Sequence, residues 1–188
     1  GTIGGSHGGV GTWQSGGTPN ATYGSLINPI LLGMGGKEEG GTYGGNGGGA
    51  LLINASGTVT VDGAMSASAP GCTQGCGAGG SINITAQALT GTGTIRANGG
   101  SSTSGGTSTS GGGGRISLNN VVTDSFSGTL QVEGGSTAPA PAYPGTIYLN
   151  SARRTSLVLG GAGNMASLTL GADGANDYTF GTIRVQSG

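Results

Sequence analysis

Cys72 and Cys76 form a Cys-x3-Cys pair and are the only cysteines in the chain. A pair at this spacing can close a disulfide or supply half of a zinc site. Zinc needs two further ligands, and the chain offers one histidine and no third cysteine. A disulfide is therefore expected, pinning the loop around it with a gain of about 2 kcal/mol for so short a ring. The one histidine, His7, sits in Gly-Gly-Ser-His-Gly-Gly (4–9). A lone histidine can act as a general base. No Ser–His–Asp arrangement accompanies this one, so it is expected to make a structural hydrogen bond. The carboxylates are Glu38, Glu39, Asp62, Asp124, Glu133, Asp173 and Asp177. A glycosidase needs two of them about 5–10 Å apart. Asp62 and Glu133 both end strand-like runs and could share an edge. They lie two repeats apart, roughly 10 Å at sheet spacing, and such residues more commonly bond turn amides. No catalytic residue is expected, and no cofactor.

Two glycine-rich segments, 160–164 and 171–177, resemble the calcium-binding nonapeptide of RTX repeats. Met165 stands where a ligating aspartate would come, and the second segment lacks one glycine of the spacing. Asp173, Asn176 and Asp177 remain a weak calcium candidate, because calcium needs six or more oxygens. Asn20, Asn54 and Asn83 each begin an Asn-x-Ser/Thr sequon, the acceptor for N-glycosylation where the source glycosylates. Thr58, Thr60, Thr92, Thr94 and Thr182 could form an outward ladder of the kind used by ice-binding solenoids, interrupted at Gln131 and Val158.

What could position these residues is constrained by composition. Of 188 residues 47 are glycine, and charged residues are 7%, against about 7% glycine and 25% charged residues in ordinary proteins. Six Lys+Arg face seven Asp+Glu, for a net charge of −1. Six scattered cations do not make the basic patch a nucleic-acid binder needs. Charge-driven disorder needs a high net charge, which is absent. The glycine spacing is irregular, which excludes collagen. No apolar run approaches the roughly 18 residues of a membrane span.

A repeat resolves the rest. Gly-Ala-Leu-Leu-Ile-Asn at 49–54 recurs as Gly-Ser-Ile-Asn-Ile-Thr at 80–85, as Gly-Arg-Ile-Ser-Leu-Asn at 114–119 and as Gly-Thr-Ile-Tyr-Leu-Asn at 145–150. The starts are 31, 34 and 31 residues apart. A second alternating run follows each copy, at 58–61, 92–95, 129–132 and 156–159. Gly/Ser/Ala/Pro-rich segments follow the first three copies, at 63–79, 97–113 and 134–144. Period-two alternation and β-branched residues indicate half-buried strands, so each repeat reads as strand, turn, strand, long loop. Such a unit cannot bury its own apolar face, but stacked copies build one continuous core. The expected fold is all-β: a single-stranded parallel β-helix (solenoid) with stacked Gly/Ser loops and a glycine-rich N-terminal cap. Val59, Val61, Ile82, Ile84, Ile95, Ile116, Leu118, Leu130, Val132, Ile147 and Leu149 would point inward. Residues 1–48 would form the cap or lateral cover, and 49–188 the coils of one continuous domain. The shorter spacing within 151–188 predicts narrower final coils. The Ser/Thr/Gly segment 101–114 would have to pack on neighbouring loops or subunits to be ordered.

An ordered set of motifs carries a family likeness: Gly-Ser-His-Gly-Gly (5–9), Tyr-Gly-Ser (23–25), Pro29, Leu-Gly-Met-Gly-Gly (32–36) and Gly-Gly-Gly-Ala-Leu-Leu-Ile (47–53). Val-Thr-Val-Asp-Gly (59–63), Gly-Gly-Ser-Ile-Asn-Ile-Thr (79–85) and Leu-Thr-Gly-Thr-Gly-Thr-Ile-Arg-Ala-Asn-Gly-Gly (89–100) continue it. Over 4–134 the chain resembles the glycine-rich β-helical modules of very large secreted and surface proteins, mostly bacterial and adhesin-like. The resemblance implies a stalk, scaffold or adhesive surface and carries over no catalytic residue.

Read in the order 188 then 1, the two termini continue the same strand-and-turn text. This predicts copies, or tandem modules, meeting head to tail through Gly1, Thr2, Ile3, Thr182, Ile183, Arg184, Val185 and Gly188. A contact of that kind that does not close makes a filament. The expectation is an extracellular or cell-surface structural protein, a subunit or module of a fibre, sheath or stalk. Its partners would be copies of itself, with neither nucleic acid nor membrane insertion. The alternative is an adhesin or carbohydrate-binding module that holds surface glycans on Trp13, Tyr23, Tyr43, Tyr143 and Tyr148. A polysaccharide-cleaving enzyme is a third reading and requires a cleft of convergent acids with an Arg or Lys.

Overall fold

The computed structural model describes residues 1–14, 16–37, 44–104, 108–136, 141–151, 154–160 and 182–186. The chain is all-β, with no helix among these residues. Its strands are β1 (Ala50–Thr60), β2 (Ala64–Ser66), β3 (Ser81–Thr90), β4 (Thr94–Arg96), β5 (Arg115–Asp124), β6 (Thr129–Gln131), β7 (Thr146–Ser151), β8 (Arg154–Gly160) and β9 (Thr182–Gln186). One sheet has the order β1-β3-β5-β7-β8-β9 and a second has the order β2-β4-β6. Every pairing is parallel except β7 with β8.

The repeat sets the register. Leu51, Ile82, Ile116 and Ile147 align in one row across the first sheet, and Met65, Ile95 and Leu130 align across the second. These rows meet in a single apolar core. All eleven residues predicted to face inward belong to it, with Val59 and Leu130 half-buried and the other nine buried. Burying an aliphatic side chain of this size contributes about 1.5–3 kcal/mol, so the rows hold the repeats together.

Two strand assignments differ from expectation. The runs at 49–54 and 58–61 are arms of one strand, β1, joined at a register shift between Ala55 and Thr58. Its second arm pairs with Ala88, Leu89 and Thr90, whereas the run at 92–95 pairs through β4 with the short β2. The two runs look alike locally but lie on opposite sides of a turn, which Gly91 makes at φ 113°. The proposed threonine ladder falls with them: its rows are Thr58-Ala88-Thr123 and Ala64-Thr94-Thr129.

The tail also differs. β8 returns antiparallel on β7, so a hairpin follows the fourth repeat copy where a narrower coil was expected. Two residues, 152 and 153, separate these strands. A parallel crossover needs a dozen or more, so only a reversal fits.

The described residues of the head, 1–14, 16–37 and 44–48, lie along the side of the repeats. Its backbone bonds run to residues of three of them: Gly5 N–H to Cys76 O (2.9 Å), Thr12 N–H to Ser110 O (3.0 Å) and, in reverse, Tyr143 N–H to Val10 O (3.0 Å). The segment 76–80 is bonded on many sides. It accepts from Gly5, Gly48 and Gly100 and donates to Thr109, Met34, Gly112 and Ala67. Successive amides thus radiate to different neighbours, as in a bundle of extended chains rather than in a ladder. At Gly77, Gly79 and Gly80 a Cβ would stand only 2.2, 2.1 and 1.8 Å from the carbonyl oxygens of Asn46, Ala97 and Gly49, so these positions have no room for a side chain. Ser108, Thr109 and Ser110 are buried against the head, so this part of the 101–114 segment packs within the same chain.

Candidate functional site

Two places in the fold bring distinctive chemistry together. The first is a buried polar node where head and repeats meet. His7 is fully buried, and its Nδ1 donates to Gly79 O at 2.9 Å. Its Nε2 is buried without a hydrogen-bond partner, and the ring lies 4.8 Å from that of Tyr23. Arg115 is also buried, at the start of β5. Its guanidinium donates to Tyr23 O and Thr146 Oγ1, both at 3.0 Å, and to His7 O at 3.5 Å. The histidine therefore has the structural role expected for it. Arg115 carries no sequence signal, because the alternation puts it on the outer face of its strand; the head covers that face.

Burial pushes the His7 pKa down to about 4, with the positive Arg115 acting in the same direction and the bond to Gly79 opposing it. The histidine is neutral when folded, whereas an unfolded histidine titrates near 6.5. Between these values the unfolded chain binds the extra proton, so stability falls as pH drops through the window. The slope approaches about 1.4 kcal/mol per pH unit, for a total of about 3 kcal/mol. Urea midpoints measured at pH 7, 5.5 and 4 should show this loss in the wild type. His7→Gln should lack that component, and equal pH dependence in both proteins would refute it.

The second place is the free end of the repeats. Among the described residues β1 is an edge strand, bonded to β3 on one side only. Its inward residues Leu51, Ile53, Ala55 and Val59 are half-buried, as is Met65 of β2. Thr60, Val61, Asp62 and Met65 help to line a recess of about 360 Å³ there. Leu52, on the outer face of β1, is 56% exposed.

The remaining predicted residues fall as follows. Cys72 and Cys76 form a disulfide. It secures more than its own loop: the head's Gly45 packs on Cys72 and donates to Gly75 O at 2.9 Å. Asp62 accepts from the Thr92 amide. Asp62 precedes β2 while Glu133 follows β6, which puts them at opposite ends of a parallel sheet and removes the shared edge. Asp124 is buried and accepts from the Phe126 amide. Among the described residues no three His, Cys, Asp or Glu side chains gather as a metal site would require. Asp173, Asn176, Asp177, Glu38, Glu39, Tyr43 and Gly188 lie outside the described residues. Asn20 and Asn54 are exposed, whereas Asn83 is half-buried with a buried Oδ1.

The N-terminal contact residues need correction. Thr2 is fully buried, and Ile3 bridges both Trp13 and Lys37. These residues have no free edge to offer, because the head folds them between two of its own segments. The unpaired edge at that end belongs to β1. Thr182, Ile183, Arg184 and Val185 lie in β9, the opposite edge of the sheet.

No family model, curated protein or solved structure matches this chain.

Proposed function

We propose that the chain is a glycine-rich, single-stranded parallel β-helix that serves as an extracellular or cell-surface structural module. It would join end to end with copies of itself in a fibre, sheath or stalk, as the resemblance to large secreted surface proteins implies. The observation that carries the reading is the pairing of successive repeats, in parallel and in register, in two sheets around one core that stays open at the β1–β2 end. An apolar edge of this kind is a template for another chain. The disulfide suits an oxidising compartment, and among the described residues no helix is long and apolar enough to cross a membrane. Low charge favours lateral and end-on packing, since few ions need desolvation.

The glycan-binding alternative finds less support. Of the aromatic side chains proposed as platforms, Trp13 is exposed, Tyr23 packs on His7, Tyr143 is half-buried and Tyr148 is buried, so the described ones form no exposed row. Negative-stain electron microscopy of concentrated protein should show elongated assemblies. Only dispersed monomers at high concentration would overturn the reading.

A further inference from the structure

We propose that the open β1–β2 end is the contact site for a second copy of this chain, which presents its own β1 so that the two edges pair antiparallel about a two-fold axis. This rests on the end-to-end self-association proposed above and names one joint of it, a head-to-head pair; a fibre needs a second joint at the opposite end.

The molecule calibrates what that end lacks. Ile82, Ile84, Ala86, Leu89 and Ile95 are the next-repeat counterparts of Leu51, Ile53, Ala55, Val59 and Met65. The first set has strands on both sides and is buried; the second has one neighbour and is half-buried. One more strand on the free side of β1 would therefore complete the core. Among the described residues, nothing in the head bonds to that side of β1. Cβ positions at Gly57 and Gly63 would meet open space.

Length selects the occupant. β1 has 11 residues, whereas β9, the other edge of the sheet, has 5 and would cover less than half of it. A second β1 matches it fully and offers the same alternation. With the pair centred on Ala55, Leu51 lies opposite Val59 across the axis. Charge agrees: from 50 to 66 Asp62 is the only ionisable residue. The edge therefore lacks the charged gatekeepers that keep strands apart, and it calls for no counter-charge on a partner. Size agrees as well. An 11-residue strand is about 36 Å long, and two layers about 10 Å apart give an end face on the order of 500–700 Å² per copy. Stable interfaces bury about 800 Å² per partner, so a reversible dimer is expected rather than an obligate one. Two-fold pairs of this kind are the commonest closed assembly.

Analytical ultracentrifugation of the whole chain at tens of micromolar tests the joint. The wild type should sediment as a dimer or as multiples of one. Leu51→Lys, which puts a charge on the inner row of the edge, should lower association at least tenfold, while Leu52→Lys on the outer face of the same strand should not. Ala55→Cys should form a covalent dimer on mild oxidation, read on a non-reducing gel. This second variant keeps the test open if Leu51→Lys fails to fold. Assemblies that persist in Leu51→Lys, with no Ala55→Cys cross-link, would leave the structural function standing and overturn this joint. A wild type that stays monomeric throughout would overturn both.

Discussion

Gly80→Ala is expected to cost more than about 3 kcal/mol, enough to prevent folding in a marginally stable chain. A Cβ on Gly80 would stand 1.8 Å from Gly49 O and 2.6 Å from Gly48 O. Both contacts are backbone, so no rotamer change relieves them. The clash repeats along the stack, because Gly114 would meet Gly80 O at 2.1 Å and Gly145 would meet Gly114 O at 1.8 Å. The second, third and fourth repeats begin with a glycine because the preceding repeat's carbonyl occupies the Cβ position, whereas Gly49, which starts the first, has nothing within 4 Å of its own. Gly57→Ala provides the control. Nothing lies within 4 Å of its Cβ position, and its φ is not among the positive ones. It should be neutral or stabilise by up to about 1 kcal/mol through the unfolded state. Chemical denaturation of the two variants separates steric exclusion from a general dislike of losing glycine. Equal effects would refute the close-approach account.

Arg115→Met is expected to destabilise by about 3–5 kcal/mol, the usual range for breaking a buried, hydrogen-bonded charge site. The guanidinium joins Tyr23 O and His7 O of the head to Thr146 of β7. Its loss leaves buried oxygens short of a donor and leaves a void between head and sheet. Arg115→Lys should recover only part of the loss, because one ammonium cannot reproduce the planar fork. Hydrogen exchange should localise the damage: the amides of Gly8 and Gly9, which donate to Gly113 O, should exchange faster. Arg115 also helps to hold the His7 pKa down. Its removal should therefore shrink the acid loss of stability and end it at a higher pH than in the wild type, since His7 would then titrate closer to its ordinary value when folded. Unchanged exchange at Gly8 and Gly9 would show that the arginine does not fasten the head.

The core was legible because period-two alternation and a repeat of 31–34 residues leave few ways to bury Ile82, Ile84, Ile116 and Leu118. Leu89, Val121 and Phe126 were missed, though all are buried. They lie near or beyond the register shifts between Asn83 and Ala86 and between Asn119 and Val121, where the alternation changes phase and a simple parity count fails. The disulfide was legible from cysteine arithmetic alone. Its wider role in fastening the head was not, because Gly45 and Gly75 meet it through backbone contacts that leave no side-chain signature.

The sequence by itself determined the all-β class, the parallel stacking of the repeats, the inward rows and the Cys72–Cys76 bond. All of these follow from local periodicity and composition. Only the tertiary structure decided that the head lies along the side of the repeats and buries Thr2 and Arg115, that the fourth copy turns back as a hairpin, and that the open edge is β1. Those outcomes depend on which backbones approach closely enough to exclude a Cβ and on how few residues separate β7 from β8, and a glycine-rich text of 47 glycines does not encode either as a pattern of side chains.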